Sequence, residues 1–135
     1  MSNTFAKLQY KGQERILVVD APEEFEPHLE EVPTSVIVDR QPEPNVKYDF
    51  VLVFVTSRLS VARHATRVPD HLNPDALLWM AYPKKTSKKY KADLSRDDGW
   101  QPFGELSFEG VRMIAIDEDW SALRLRQAGF IKKNR

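Results

Sequence analysis

Apolar residues fall into six short runs along the chain, and polar or turn-forming residues separate each run from the next. Short runs rich in valine, isoleucine and leucine, bounded by turn residues, are typical of β-strands. Because these runs are nearly continuous rather than alternating, we expect strands that are covered on both faces, as in a parallel sheet. The predicted strands are Arg15–Asp20, Ser35–Asp39, Asp49–Val55, Ala76–Tyr82, Val111–Asp117 and Ser121–Arg126.

Helical patterns lie between several of these strands. The segment Arg58–Leu72 has apolar side chains at the spacing of one helix face, which predicts a helix, and Pro69 is expected to break or kink it near its end. A second helix, capped by Asp93 or Ser95, is predicted to run to about residue 106. The segment Pro22–Val32 begins with proline and two glutamates, which is a favourable helix start, and predicts a short helix.

The alternation of strands and helices predicts βαβ units. It therefore favours a mostly parallel, Rossmann-like α/β sheet of about six strands with helices on both faces. Only Glu118–Trp120 separates the last two strands, so we expect a C-terminal antiparallel hairpin at the edge of the sheet. The sequence has no internal repeat and no linker. We predict one α/β domain over residues 1–135, with frayed ends at Met1–Thr4 and Lys132–Arg135.

Charge and cysteine content exclude several classes of function. The chain has 20 Lys and Arg residues against 20 Asp and Glu residues, whereas general nucleic-acid binders carry a strong basic excess. It has no cysteine, which excludes disulfides, thiolate catalysis and cysteine-ligated metals, and fits a reducing cytoplasm. The segment Met1–Arg15 lacks the apolar core of a signal peptide, and no apolar run approaches the ~20 residues that span a bilayer. We expect a soluble cytoplasmic protein with no membrane or nucleic-acid partner.

A lysine cluster directly follows the fourth predicted strand, at residues 84–91 (the lysine loop). In open α/β sheets, ligands bind beyond the carboxyl ends of the strands, so we predict a site for a phosphate or carboxylate in this loop. Lys84 is the best-placed residue because Pro83 and the preceding strand fix its position. Lys85 and Lys88 are further candidate ligands, and Tyr90 is available for stacking. The alternative is a mobile, solvated loop whose lysines only maintain solubility.

Three carboxylates and an indole follow one another in the segment Asp117–Trp120. One interpretation makes Asp117 a strand-end acid, or part of a site for a hard cation such as magnesium. The other is an acidic hairpin turn with Trp120 folded over the sheet edge, since such turns favour aspartate. Arg124 and Arg126 share one face of the final strand, and we expect them to pair with these acids. We therefore include Asp117, Trp120 and Arg124 with the lysine loop in the candidate ligand-binding site.

The first βα turn lacks the glycines of a dinucleotide or adenosylmethionine site. It reads Asp20-Ala-Pro-Glu-Glu24, where Pro22 has no N–H to donate and two carboxylates occupy the place at which an anion would dock. Asp39 ends the second strand at the spacing of a ribose-binding acid, and the alternative is a plain surface aspartate at a strand end. We therefore predict no bound cofactor.

The three histidines, His28, His64 and His71, lack the spacing of metal ligands beside a carboxylate, and we predict that they lie on the surface. The chain contains no Walker loop, no nucleophile elbow and no serine-histidine-aspartate arrangement. No catalytic residue and no metal ligand is therefore assigned from the sequence.

Two longer motifs resemble a known group of proteins. They are Leu78-Trp-Met-Ala-Tyr-Pro-Lys84 and Ala115-Ile-Asp-Glu-Asp-Trp-Ser-Ala-Leu-Arg124, and both are similar to segments of an uncharacterised family of small bacterial proteins, a domain of unknown function. The resemblance covers about residues 15–126 and implies a bacterial source and a single-domain layout, with no known activity. The strand order also resembles a shortened class I methyltransferase fold, with a final antiparallel hairpin and a tryptophan in the fourth strand. The chain departs from that fold at the glycine-free first βα turn.

Three functions are consistent with these features. Our leading hypothesis is a non-catalytic α/β module that binds an anionic small molecule or a protein partner through the lysine loop, assisted by the Asp117–Trp120 hairpin. The second is a small, degenerate methyltransferase-like enzyme in which Lys84 steadies an anionic substrate and Asp117 or Glu118 acts as an acid, a base or a cation ligand. The third is a homodimer paired through an exposed sheet edge. An enzyme predicts one cleft that holds both Lys84 and Asp117, whereas a binding module predicts that the two do not converge.

Overall fold

Six strands form a single sheet in the computed structural model, which describes residues 3–131. The strands are β1 (Arg15–Val19), β2 (Ile37–Asp39), β3 (Tyr48–Phe54), β4 (Leu72–Pro83), β5 (Phe108–Ala115) and β6 (Trp120–Gln127). Their order in the sheet is β2-β1-β3-β4-β6-β5. Neighbouring strands from β2 to β4 are parallel, and β6 is antiparallel to both β4 and β5. The predicted single α/β domain with a mostly parallel sheet and a C-terminal antiparallel pair is confirmed.

The last strand in the sequence is not the last strand in the sheet. β6 lies between β4 and β5, so that β5 forms the edge. The side chains explain this order, because β6 buries Ala122, Leu123 and Leu125, whereas β5 leaves Val111 and Met113 exposed. An edge strand has a neighbour on one side only, and it is therefore the place where partly exposed residues are tolerated.

The helices are short. They are α1 (Thr4–Lys7), α2 (Arg58–Arg67) and α3 (Gln101–Gly104), with 3₁₀ helices at Glu23–Glu31, Pro69–His71 and Ala128–Phe130. The predicted helix over Arg58–Leu72 forms, and it ends at Arg67 because Pro69 cannot continue the hydrogen-bond ladder. The Ser57 hydroxyl accepts a hydrogen bond from the Ser60 amide at 3.1 Å and caps its start. No helix within residues 3–131 is long and apolar enough to cross a membrane.

Two expectations about helices need correction. The helix predicted from Asp93 or Ser95 to about residue 106 is wrong, since only Gln101–Gly104 is α-helical. Gly99 has a φ of +108°, which a right-handed helix does not accept, and it separates this short helix from the preceding turn. The segment over Pro22–Val32 forms a 3₁₀ helix rather than an α-helix, and Pro27 within it removes one backbone donor.

The N-terminal segment packs against the core from Thr4 onward. Residues 1, 2 and 132–135 lie outside the described part of the chain. Thr4 is buried and begins α1. Phe5 and Leu8 of the same N-terminal segment pack into the core, and the indole N–H of Trp79 donates to the Leu8 carbonyl at 2.8 Å. The burial of these apolar side chains, about 1.5–3 kcal/mol each, explains why the segment is ordered.

Apolar side chains cover both faces of the sheet. On one face α2 contributes Val61 and Ala65, its C-cap residue is Val68, and α3 contributes Phe103. On the other face α1 and the 3₁₀ helix Glu23–Glu31 pack against β1, β3 and β4, with Trp79 at the centre. The apolar runs of β1, β3 and β4 therefore belong to strands that are covered on both sides, as predicted. At the two edges of the sheet, Ile37 of β2 and Val111 and Met113 of β5 are exposed.

Candidate functional site

The carboxyl ends of β1, β3 and β4 meet at one edge of the sheet, because the three strands are parallel neighbours. The chain leaves this edge at Asp20, Val55 and Lys84, and β6 enters it at Trp120. The Lys84 amide donates a hydrogen bond to the Asp119 carbonyl at 2.8 Å, so the lysine loop and the hairpin turn between β5 and β6 are joined. The sequence-based expectation that these two segments are neighbours agrees with this geometry.

The lysine loop surrounds a cavity of about 330 Å³, which we call the lysine pocket. Its lining residues are Pro83, Lys84, Lys85, Ser87, Tyr90, Lys91, Ala92 and Leu94. Lys84 is half-buried, whereas Lys85 and Lys91 are exposed. Lys88 is exposed and lies outside this lining, although the sequence grouped it with Lys84 and Lys85. The pocket therefore brings three lysines together, and they are not the three that were expected.

Hydrogen bonds from two sides hold the lysine loop in place. The Ser87 hydroxyl donates to Asp119 Oδ1 at 2.8 Å and accepts from the Tyr90 amide at 3.0 Å. The Tyr90 hydroxyl donates to the carboxylate of Glu24, which lies in the 3₁₀ helix after β1. The loop is thus tied to the hairpin turn and to the first βα segment, unlike the freely solvated loop of the alternative interpretation.

Glu24 is the residue to which the lysine loop is hydrogen-bonded on its second side. Its carboxylate accepts hydrogen bonds from Tyr90, from the Trp120 indole N–H at 3.3 Å and from Lys89 Nζ at 3.3 Å. The bond from Tyr90 is the largest of several effects that lower the pKa of Glu24 to about 2, and the same bond raises the pKa of Tyr90. Lys89 is consequently engaged by Glu24 rather than by the pocket. No feature of the sequence pairs Glu24 with a tyrosine 66 positions later.

Tyr90 and Trp120 form an aromatic wall beside the lysine pocket. Their ring centroids are 4.8 Å apart, and Phe54 meets the other side of Trp120 at 5.1 Å. The Lys89 ammonium lies 5.5 Å from the Tyr90 centroid. The Tyr90 ring therefore packs against Trp120 and contributes to the wall of the lysine pocket.

Asp117 has a structural role in the hairpin turn. Its Oδ1 accepts hydrogen bonds from the amides of Asp119 and Trp120, both at 2.8 Å, which is the geometry of an Asx turn. It does not line the lysine pocket, so Lys84 and Asp117 do not converge in one cleft. Within residues 3–131, no group of three or more His, Asp or Glu side chains is arranged to hold a metal ion. The geometry of Asp117 fits the interpretation as an acidic hairpin turn and does not fit the interpretation as a cation site.

Arg124 lies away from the carboxyl edge, four positions beyond Trp120 along β6. Its Nη1 donates to Gln9 Oε1 at 3.2 Å, while Arg126 forms a two-bond pair with Asp75 at 2.7 Å. The expected pairing of these arginines with the hairpin acids is wrong, because the β-strand carries both of them toward its far end. Burial lowers the pKa of Arg124, and its Nε has no hydrogen-bond partner among the described residues.

A second, smaller cavity of about 230 Å³ lies at the same edge, on the far side of the aromatic wall. It is lined by Asp20, Phe54, Thr56, Ser60, Arg63 and Trp120. Asp20, the first residue after β1, has a φ of +59°, a conformation that aspartate tolerates better than most residues. Its Oδ2 lies 3.2 Å from Nε2 of His64. The first βα turn thus presents a carboxylate at the cavity, although it has no glycine, and this carboxylate contacts the buried imidazole of His64 in α2.

The prediction that all three histidines lie on the surface is wrong for His64. Its side chain is 4% exposed, and burial lowers its pKa despite the nearby Asp20. His28 and His71 are half-buried and hydrogen-bonded, His71 Nδ1 to the Val46 carbonyl at 2.8 Å. The sequence did contain a signal, because position 64 falls on the buried face of α2 between Val61 and Val68.

Asp39, the candidate ribose-binding acid at the end of β2, is engaged by its own fold. Arg15 Nε lies 2.7 Å from its Oδ2, and the Tyr48 hydroxyl donates to the same oxygen at 2.6 Å. Burial by itself would raise the pKa of Asp39, but these two hydrogen bonds outweigh burial and lower it. The carboxylate is therefore a structural link between β1, β2 and β3.

One further cavity, of about 310 Å³, lies at the opposite end of β4, where Leu72, Asp75 and Phe130 contribute to its lining. Ligands of open α/β sheets bind at the carboxyl edge. We therefore place the candidate site at the lysine pocket and the smaller cavity beside it.

The chain matches no family model and no curated protein sequence. The resemblance to an uncharacterised bacterial family therefore remains a prediction. Several solved structures share its fold. A ribosomal protein L11 methylase from Lactobacillus delbrueckii subsp. bulgaricus has a TM-score of 0.53 at 13% identity, covering 92% of this chain and 77% of that one. A protein of the NADB-Rossmann superfamily from Streptococcus agalactiae has a TM-score of 0.55 at 13% identity, covering 94% and 68%.

A third solved structure is a phosphoethanolamine N-methyltransferase 2 from Haemonchus contortus, in complex with phosphomonomethylethanolamine and S-adenosylhomocysteine. It has a TM-score of 0.53 at 8% identity, and the match covers 91% of this chain but 37% of that one. At such identities the likeness establishes the fold and not the activity. The protein has a Rossmann-like, class I methyltransferase-type α/β fold.

Proposed function

We propose that this protein binds an anionic small molecule in the lysine pocket, on a methyltransferase-like α/β frame. The observation that carries the proposal is the charge of the pocket wall. Lys84, Lys85 and Lys91 line one concave surface, and among the described residues no carboxylate lines it. Three cations around one cavity favour a phosphate or a carboxylate.

The fixed position of the loop supports the same proposal. Binding to a mobile loop loses affinity to the ordering of the loop, whereas a loop that is already held binds at lower entropic cost. Here the bond from Ser87 to Asp119 and the bond from Tyr90 to Glu24 hold the loop at both of its sides. Glu24 also occupies Lys89, which leaves the pocket lysines as the group available to a ligand.

A thermal-shift screen with inorganic phosphate, nucleotides and phosphorylated metabolites tests this proposal. An anion present at a hundred times its Kd adds about 2.7 kcal/mol to the free energy of unfolding, which is a shift of several degrees in Tm. The Lys84→Ala variant should lose the shift, and Lys11→Ala, which removes an exposed lysine elsewhere, should keep it. A screen without any anion-dependent shift, or shifts that persist in Lys84→Ala, would overturn the proposal.

A second candidate is a small methyltransferase-like enzyme that acts on an anionic substrate at this edge. It is favoured by the strand order and by the solved methyltransferases of the same fold, one of which is in complex with the phosphorylated molecule phosphomonomethylethanolamine. The two cavities are adjacent, with the Tyr90–Trp120 pair between them, as a donor site and an acceptor site would be. Against it, the cavity beside Asp20 is about 230 Å³, below the roughly 300–1,000 Å³ of most ligand sites.

Calorimetry with adenosylmethionine and adenosylhomocysteine distinguishes the two candidates. The enzyme requires measurable binding of these nucleosides that is weakened in Asp20→Asn and unchanged in Lys84→Ala. If neither nucleoside binds at millimolar concentration while anions still bind the lysine pocket, the enzyme candidate is excluded and the binding module stands.

A further inference from the structure

A trench continues from the lysine pocket across the sheet face formed by β5 and β6. Its nearer part is a cavity of about 360 Å³ that has Lys84 and Lys85 in its lining, together with Tyr82 and Met113. Its farther part is a cavity of about 370 Å³. The same two residues, Arg96 and Asp97, line both parts, so the two are neighbours along one path. The lysine pocket and the trench in turn share Lys84 and Lys85.

The far part of the trench has an apolar floor. Phe108, Leu123 and Leu125 line it from β5 and β6, and Trp100 contributes to its wall. In the near part, Met113 is 45% exposed, and its Sδ accepts a hydrogen bond from the Tyr82 hydroxyl at 3.0 Å. The trench is thus most basic where it meets the lysine pocket. Beyond that point its apolar floor lies beside the side chains of Arg96, Asp97 and Gln101.

Gly110 opens this floor. A Cβ built on Gly110 would lie 3.1 Å from Leu123 Cδ1, on the side of β5 that faces the trench. Any larger side chain at this position would therefore fill the space above Leu123. The ladder between β5 and β6 shifts its register between Gly110 and Arg112, so the glycine also accompanies a bulge. Glycine in a strand interior often marks a bulge or a place where a ligand approaches the backbone closely.

The structure points to an amphipathic anion as the ligand. We infer that the ligand's phosphate or carboxylate group lies in the lysine pocket and that an unbranched apolar chain extends from it along the trench. This inference rests on the proposed function and names the class of its ligand. Charge complementarity supports the direction, since Lys84 and Lys85 stand at the mouth of the trench, and Arg96 pairs with Asp97 at 3.7 Å partway along it.

The length of the trench limits the length of the ligand's alkyl chain. The lining of the trench includes Ser121 at its near part and Leu125 at its far part. Four residues of a β-strand span about 13 Å, so a chain of about ten carbons reaches from one end to the other. Shorter alkyl chains would not reach the part of the trench that Phe108 and Leu125 line.

Calorimetry with a series of n-alkyl phosphates from ethyl to decyl, each below its micelle-forming concentration, tests the inference. A methylene that becomes buried tightens binding about fourfold, and one in an open trench about twofold. The Kd of the wild-type protein should therefore fall steadily with chain length. Decanol, which has the chain without the anion, should bind much more weakly than decyl phosphate.

Three variants locate the chain. Gly110→Leu fills the trench and Met113→Gln makes its wall polar, and each should remove most of the dependence on chain length while binding of ethyl phosphate is retained. Val111→Gln changes an exposed apolar residue of the same strand outside the trench and should leave the dependence intact. Met113→Gln keeps the test valid if Gly110→Leu does not fold.

The outcomes separate this inference from the proposed function. Ethyl and decyl phosphate that bind equally well would overturn the amphipathic ligand and leave the anion site standing. If the affinity of both Gly110→Leu and Met113→Gln still depends on the length of the alkyl chain, the alkyl chain does not lie in the trench. This result would also overturn the inference. Failure of every alkyl phosphate to bind, or binding that survives Lys84→Ala, would overturn the proposed function itself.

Discussion

The hydroxyl of Tyr90 donates a hydrogen bond to the carboxylate of Glu24, and so joins the lysine loop to the first βα segment across 66 positions of sequence. Trp120 adds its indole N–H to the same carboxylate and packs its ring against Tyr90. Open α/β sheets bind their ligands at this edge. Here the Glu24 carboxylate already accepts hydrogen bonds from Tyr90, Trp120 and Lys89. The pocket lysines beyond Lys89 are consequently the cations that remain open to a ligand.

The Tyr90→Phe variant removes the hydroxyl and keeps the ring. We expect a loss of about 1–2 kcal/mol in the free energy of unfolding, because a bond to a charged, half-buried carboxylate is lost. We also expect faster hydrogen exchange of the amides in residues 84–94, since the loop loses one of its two ties. Tyr10→Phe is the matched control, because its hydroxyl also donates one hydrogen bond, to the Gln13 carbonyl, away from the loop. If the amides of residues 84–94 exchange at the same rate in the two variants, the hydrogen bond from Tyr90 to Glu24 does not hold the loop.

The low pKa of Glu24 predicts a dependence of stability on pH. The pKa is lowered from 4.5 to about 2, so the folded state favours the ionised carboxylate. The stabilisation is therefore complete above about pH 4.5 and is lost as the pH falls toward 2. Urea unfolding of Glu24→Gln at a series of pH values should show a smaller loss of stability across this window than the wild type, by about 1–2 kcal/mol. Parallel curves for the two proteins would show that Glu24 is not the titrating group.

The buried His64 predicts a second dependence, near neutral pH. Burial lowers its pKa below 6.5, and the charges of Arg63 and Arg67 act in the same direction, whereas Asp20 opposes them. The unfolded chain then binds a proton more readily than the folded chain, so stability is complete above about pH 6.5 and falls as the pH is lowered. His64→Gln should flatten this part of the curve. Asp20→Asn removes the opposing charge and should lower the imidazole pKa further, as measured by the NMR titration of its C–H resonances. A His64 pKa above 6.5 in the wild type would contradict the prediction.

The position of Arg124 predicts that it is not a ligand-binding residue. It is half-buried, its Nε lacks a partner among the described residues, and it lies four positions from the carboxyl edge. Arg124→Met replaces an incompletely satisfied charge with an apolar chain of similar length, so we expect stability that is unchanged or raised by about 1 kcal/mol. The affinity of the lysine pocket for anions should also be unchanged. Arg126→Met, which breaks the pair with Asp75, should lower Tm. A weaker anion affinity in Arg124→Met would restore the sequence-based assignment.

The sheet could be predicted from sequence because its signal is local. Each strand contains a short apolar run, so all six predicted strands overlap observed ones, from Arg15 of β1 to Gln127 of β6. The position of β6 inside the sheet could not be predicted, because the order of strands depends on which apolar faces meet. The helix expected over 93–106 is interrupted at Gly99, whose φ of +108° lies outside the helical region, and this backbone conformation has no local sequence signal beyond the glycine itself.

The site was harder to predict than the sheet, because its contacts join distant parts of the chain. The lysine loop is recognisable from composition, and the hairpin is recognisable from the short segment Glu118–Trp120 that separates the last two predicted strands. The partner of Tyr90 is Glu24 and the partner of His64 is Asp20, and neither pair has a spacing that a sequence pattern records. Lys88 and Lys91 are equally plausible in sequence, and only the path of the loop decides that Lys91 lines the pocket.

The contact of Gly99 with Leu94 gives the most direct test of how the lysine loop ends. Gly99 is buried, has a φ of +108°, and a Cβ at this position would lie 2.6 Å from Leu94 Cβ. Gly99→Ala therefore combines backbone strain with a clash, and we expect a loss of about 2–4 kcal/mol in the free energy of unfolding. Gly12→Ala is the control for strain by itself, since Gly12 has a φ of +84° and no atom within 4 Å of the added Cβ, and it should cost about 1 kcal/mol. Because Leu94 lines the lysine pocket, Gly99→Ala should also weaken anion binding, which Gly12→Ala should leave unchanged. Equal destabilisation by the two substitutions would mean that strain explains both and that the packing of Leu94 does not set the end of the loop.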